Sequence, residues 1–149
     1  MMLSDNFSMS ELLRSDMAAR RGYIMEPSER VAMNLRRLCE DVLQPIRDLV
    51  GVPVLINSGY RDEYVNRLVG GAANSAHKFG RAADIRVAGM EAAELADIIE
   101  NTNIGYDKMI LEFGQWIHIQ VSKQGSMARR EVLTATHTDS GVKYTRGLG

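Results

Sequence analysis

The chain has 149 residues, the size of one ordinary domain and long enough to bury a hydrophobic core, so a single domain over 1–149 is expected. Its 18 Lys and Arg against 19 Asp and Glu leave a net charge of -1, and this balance points to neither a nucleic-acid nor an anionic-membrane partner. The single cysteine, Cys39, excludes an internal disulfide framework and a Cys-based metal cluster.

Taken in order, Met1 to Ser8 lack a basic region followed by an apolar run, so no secretory signal is read. No later stretch approaches the length of a membrane span, and a soluble product made in the cytoplasm is expected, without membrane insertion. Phe7 to Arg21 carry a helix pattern, with Ser8 or Ser10 as cap, Glu11 in the first turn, and Leu12, Leu13 and Met17 as apolar positions. Gly22 ends it. Pro27-Ser28-Glu29 is a helix start, after which Val31, Leu35, Leu38, Val42, Ile46 and Leu49 recur at helical spacing up to Gly51. Pro45 is expected to kink this helix or split off its last turn. Cys39 falls inside the pattern and reads as a small core or flank residue.

From Val52 to Ile56 the pattern becomes that of a short strand, which stops at Asn57-Ser58-Gly59. Asp62 to Leu68 suit a short helix before Gly70-Gly71. Ala82 to Val87 read as a second strand, and Met90 to Glu100 as a helix burying Leu95, Ile98 and Ile99. Lys108 to Phe113 and Trp116 to Val121 form two strand-like runs around Gly114-Gln115, a hairpin signal. Glu131 to Ala135 and Val142 to Tyr144 are late strands. The fold class expected is α+β, an antiparallel sheet with helices packed on one side. No extra apolar stripe stands out, and a monomer is expected.

The chemistry concentrates between Ser75 and Asp84. One imidazole, His77, and one carboxylate, Asp84, lie close together in a segment with Gly70, Gly71 and Gly80, and they read as two ligands of a zinc ion. In the run 116–121, alternation puts Ile117, Ile119 and Val121 on one face and Trp116, His118 and Gln120 on the other. His118 is the best third ligand. Two imidazoles and a carboxylate are a common set for catalytic zinc, with a fourth position left open; the ion lowers the pKa of water from about 15.7 toward roughly 7.

These residues bring a family resemblance. Ser75-x-His77-x-x-Gly80-x-Ala82-x-Asp84, followed downstream by Trp116-x-His118, resembles the zinc D-Ala-D-Ala carboxypeptidases (peptidase M15), which share a fold with lysostaphin-type peptidases and the hedgehog signalling domain. Ser58-Gly-Tyr-Arg61, Asn34-Leu-x-x-Leu38, Asn66, Gly70-Gly71 and Ile110-Leu-Glu112-Phe extend the likeness over nearly the whole chain, and narrow it to the short phage and prophage branch. The resemblance implies one zinc per chain, held by His77, Asp84 and His118, and hydrolysis of peptidoglycan stem peptides at either the terminal D-Ala-D-Ala bond or an internal L-Ala to D-Glu bond. Arg61 would face a substrate carboxylate or carbonyl oxygen, for which the guanidinium fork suits. Ser75 would bind substrate or hold the loop presenting His77, and Gln120 is assigned to substrate binding with them. Tyr60 and Asn66 read as scaffold.

One position departs from the better-known members, which carry an acid three residues before the last histidine. Here it is Gln115. Glu112 is the nearest carboxylate, and it shares the face of His118 only if the hairpin loop is the three residues 113–115; Asp107 is the other candidate base. A non-catalytic zinc-containing or virion-associated module of the same fold is the alternative that Gln115 favours. As a peptidoglycan hydrolase the protein would act at the cell wall, reached from the cytoplasm by a holin-like route or as part of a virion. The sequence gives no role for His137 beyond a solvated position.

Overall fold

Two short strands, β1 (Met2–Ser4) and β2 (Phe7–Ser8), open the computed structural model, which describes every residue from Met1 to Gly149. The helix expected over 7–21 is divided into α1 (Met9–Leu13) and α2 (Asp16–Arg20), with Arg14 extended between them. Each half has its own serine. Ser8 and Glu11 form a capping box on α1, and the Ser15 hydroxyl accepts from the Ala18 N–H to start α2. A serine in mid-run offers the backbone this alternative to a continuing helix.

The Ser28 hydroxyl accepts from the Val31 N–H at 3.2 Å and starts α3 (Glu29–Leu38). A π-helical turn (Cys39–Leu43) follows, and α4 (Gln44–Val50) completes the run before Gly51 closes it at φ +71°. Pro45 cannot donate and would crowd the preceding turn of a regular helix. The helix accommodates it by widening one turn rather than breaking there. Val31, Leu35, Leu38, Val42 and Ile46 are buried as the spacing predicts, whereas Leu49 is half exposed at the end of the stripe. Cys39 is fully buried, and burial pushes its thiol pKa up to about 12.

The main sheet contains β3 (Leu55–Ser58), β4 (Ala82–Arg86), β5 (Lys108–Glu112), β6 (Trp116–Gln120), β7 (Glu131–Thr138) and β8 (Gly141–Arg146) in the order β3-β4-β6-β5-β7-β8. Between β3 and β4 lies α5 (Glu63–Leu68), and α6 (Ala92–Glu100) joins β4 to β5. In α6, Ala92, Leu95, Ala96 and Ile99 are buried, while Ile98 is only partly so. Every strand pair in the main sheet is antiparallel except β5 with β7, which is parallel. The sheet is therefore mixed, where the pattern alone predicts an antiparallel one. The cause is local: β6 returns the chain to the starting end of β5, so a strand beginning there runs alongside β5.

Helices cover one face of this sheet, as expected. Ala83, Ile85, Met109, Leu111, Ile117 and Ile119 from that face join the helix residues Leu35, Leu38, Ile46, Leu95 and Ile99 in one buried cluster. Each large side chain there contributes about 1.5–3 kcal/mol by leaving water. The alternate residues Asp84, Ile110, Glu112, Trp116, His118 and Gln120 point to the opposite face.

Candidate metal centre

The segment before β4 is built to hold one histidine. Ser75 Oγ accepts from the His77 N–H at 3.2 Å and starts a single 3-10 turn, Ala76–Phe79. Asn34 of α3 donates to the Phe79 carbonyl at 2.8 Å, which ties this turn to the longest helical run. Gly80 ends the turn at φ +74°, and a Cβ there would meet the Val31 carbonyl oxygen at 2.8 Å. Only glycine suits both the angle and the approach. Asn66, nearly fully buried, donates to the Ala72 carbonyl at 2.9 Å and shapes the Gly70-Gly71 loop, which is the scaffold role expected of it.

Three electron-pair donors converge at the end of this turn. His77 Nδ1 lies 2.7 Å from the Gly59 carbonyl oxygen, to which it donates, so Nε2 keeps its lone pair. His118 Nε2 donates to Gln120 Oε1 at 2.8 Å, leaving its Nδ1 lone pair free. Both free nitrogens face Asp84 Oδ1 at 3.2 Å, and the three ligand atoms lie within 4.8 Å of one another. Two ligands of a tetrahedral zinc with bonds of about 2.0–2.1 Å sit roughly 3.3 Å apart, so the donor set fits that ion. The acceptors at Gly59 and Gln120 supply the outer contacts that orient metal-binding imidazoles.

Electrostatics at these residues favour a cation. Burial opposes ionisation of Asp84, yet the His118 and His77 imidazoles against it hold its carboxyl well below the usual range. Burial pushes the His77 pKa down, which favours the neutral ligand form. For His118 burial also acts downward, but Asp84, Gln120 and Glu112 outweigh it and raise its proton affinity. The centre attracts positive charge, as a proton or as a metal ion.

The hairpin between β5 and β6 has the three-residue loop 113–115, with Phe113 at φ +57° and the Gln115 N–H donating to the Glu112 carbonyl at 2.9 Å. Glu112 therefore pairs with Trp116 and shares the face of His118. Burial and the charge of Asp84 raise the Glu112 pKa, against the opposing pull of His118, Trp116 and Arg61. Gln115 is exposed in the loop. Asp107, the other candidate base, is buried under Arg129, which reaches it at 2.9 and 3.1 Å, and it does not line the cleft.

The cleft beside the three donors has a volume of about 410 Å³ and takes Arg61, Ser75, Glu112 and Trp116 into its wall. Arg61 makes no ion pair; its Nη2 reaches Ser75 Oγ at 3.5 Å and its Nε is buried without a partner. Burial lowers its pKa and Asp84 and Glu112 raise it, and a guanidinium stays charged through such shifts. Ser75 both caps the His77 turn and touches Arg61. Gln120, expected to bind substrate, lines the cleft, and its amide oxygen accepts from His118.

Four participants escaped the sequence reading: Gly59 through its carbonyl, and Arg81, Lys108 and Tyr144 as cleft residues. Lys108 had a signal, because it shares His118's face across the hairpin. Tyr144 had none. A family model described as Peptidase M15 matches residues 5–120 of the chain. No curated protein matches it. No helix is long and apolar enough to cross a membrane.

Proposed function

We propose, from the premise that the chain belongs to the peptidase M15 family, that it is a zinc-dependent hydrolase of peptidoglycan stem peptides, carried by a phage or prophage. The convergence of His77 Nε2, Asp84 Oδ1 and His118 Nδ1 beside Glu112 and Arg61 in one cleft carries this reading. A zinc ion held by those three atoms would supply a Lewis acid that polarises a peptide carbonyl and makes water acidic enough to attack it at neutral pH.

The chain's own residues do the rest. The Glu112 carboxylate takes the proton of the attacking water and delivers it to the leaving amine. Arg61, free of any ion pair, donates to the oxygen that gains negative charge, and Ser75 steadies its guanidinium. Gly59 and Gln120 keep the two imidazoles in the tautomers that leave a lone pair facing Asp84. Such a substrate puts the site of action at the cell wall, reached from the cytoplasm through a holin-like lesion or carried there on a virion.

Glu112→Gln tests the assignment, because it preserves size and removes the base. With purified peptidoglycan and mass spectrometry of released fragments, the variant should keep one zinc per chain and an unchanged melting temperature while hydrolysis falls by about 10²–10⁴-fold. A fully active variant would move the base elsewhere. The second reading, a non-catalytic zinc module, is favoured by Gln115 alone and would give zinc binding without turnover in the wild type too.

A further inference from the structure

The family match ends at residue 120, but the cleft does not: Tyr144 of β8 forms part of its wall. The register explains how. Glu112 pairs with Ala135 of β7, and Ala135 pairs with Tyr144, so all three project from the same face. Ala135 is fully buried, so neighbouring protein atoms already cover its Cβ, and Glu112 and Tyr144 on either side of it both line the cleft. Two strand spacings of about 4.8 Å separate the backbones of Glu112 and Tyr144 by roughly 10 Å.

The arm that carries Tyr144 has little to do with the core. All six residues of β8 are exposed, Tyr144 at 56% and Val142 at 47%. It is nevertheless fixed in place. His137 of β7 stacks on Phe113, with ring centroids 3.9 Å apart and planes within 9°, which joins the arm to the loop that follows Glu112. At its base Arg130 donates to the Thr102 and Ile104 carbonyls at 2.8 and 3.0 Å. An exposed aromatic on a pinned arm, facing the cleft, is a feature that folding does not require.

Resting on the peptidase reading, we propose that Tyr144 is the substrate wall on the leaving-group side and that the leaving part is a peptide of several residues. Asp84 and His118 stand on β4 and β6, to one side of Glu112, and β7 and β8 lie to the other. Glu112 hands its proton to the leaving amine, so the leaving part extends away from the donor cluster, along the cleft wall toward Tyr144. An extended peptide advances about 3.3 Å per residue, so its second or third residue reaches the ring, whereas a lone amino acid covers about a third of the distance. The ring packs on that residue's aliphatic portion.

The probe is the free stem pentapeptide L-Ala-γ-D-Glu-meso-diaminopimelyl-D-Ala-D-Ala, digested by the zinc-loaded protein and followed by mass spectrometry. The expected cut is internal, releasing a part longer than one residue; a single D-Ala as main product overturns the proposal. Tyr144→Ala should raise KM about five- to tenfold with kcat within about twofold, and Tyr144→Phe should behave like wild type. Equal KM values for wild type and Tyr144→Ala, at equal melting temperature and zinc content, also overturn it.

A binding measurement separates this proposal from the peptidase reading. Trp116, the only tryptophan, lines the cleft, so its fluorescence reports occupancy in the zinc-loaded Glu112→Gln background. Adding Tyr144→Ala should weaken pentapeptide binding about five- to tenfold and leave D-Ala-D-Ala dipeptide binding unchanged. Equal loss for both ligands, loss for neither, or no pentapeptide binding refutes the Tyr144 wall. The expected difference in a protein whose wild type never turns over would sink the peptidase reading and keep the wall.

Discussion

Gly59→Ala perturbs the metal centre without touching a ligand. Gly59 has no unusual φ, so a change there acts through contact alone. The Tyr60 N–H donates to the Leu12 carbonyl at 2.8 Å, and this bond docks the segment so closely on the end of α1 that an added Cβ would lie 2.4 Å from that same oxygen. The neighbours are backbone atoms and cannot rotate away. Reaching an ordinary contact of 3.4 Å takes about 1 Å of displacement. The Gly59 carbonyl holds His77 Nδ1 at 2.7 Å, and a shift of that size along the bond puts it beyond hydrogen-bond range. Overpacking costs about 1–3 kcal/mol, and an unpaired buried N–H costs about the same again. The melting temperature should fall by roughly 5–15 °C. Zinc affinity, measured by chelator competition, should weaken about 10- to 100-fold, the usual effect of losing an outer contact to a ligand. A variant with wild-type melting temperature and zinc affinity would refute the link from Gly59 through His77 to the metal.

Gln120→Leu removes the acceptor for His118 Nε2 while keeping bulk, and should weaken zinc binding about 10- to 100-fold by the same competition assay. Asp107→Asn tests the Arg129 pair. The hydrogen bonds and charge of Arg129 hold the Asp107 pKa below its ordinary value, so its stabilisation is complete above the ordinary carboxylate range and is lost as pH falls through the folded value. Denaturant unfolding should show the variant about 1 kcal/mol less stable at pH 7, a modest figure because the Arg129 side chain is largely exposed, with the gap closing in acid. Cys39, buried with its thiol pKa near 12, should resist alkylation at pH 8 in the folded protein and react fully in denaturant.

Legibility in the sequence followed the range of the interactions. Ser28, Gly51 and Asp62 act on their own helix ends, and these boundaries were readable from caps and breakers. The face of His118 followed from alternation, and the three-residue loop placed Glu112 beside it, a choice the sequence had left to the turn. What escaped depends on contacts between distant segments. The Gly59 carbonyl is 18 residues from His77, and nothing local marks it as an acceptor. The parallel β5–β7 pair comes from where β6 delivers the chain, which periodicity cannot express. Alternation places Gln120 on the cleft face, and the structure adds a partner that alternation cannot express, because its amide oxygen accepts from His118 two residues back. Tyr144 enters the cleft only through a register that crosses two strands.

The most direct measurement is digestion of purified Gram-negative peptidoglycan by the zinc-loaded protein, by the same protein stripped with a chelator, and by the stripped protein after zinc is returned. Mass spectrometry of the soluble fraction should find released stem-peptide fragments in the first sample, none in the second, and the same fragments again in the third. A sample shown to hold one zinc per chain that yields no metal-dependent fragment would contradict the assignment of His77, Asp84, His118 and Glu112 to peptide hydrolysis.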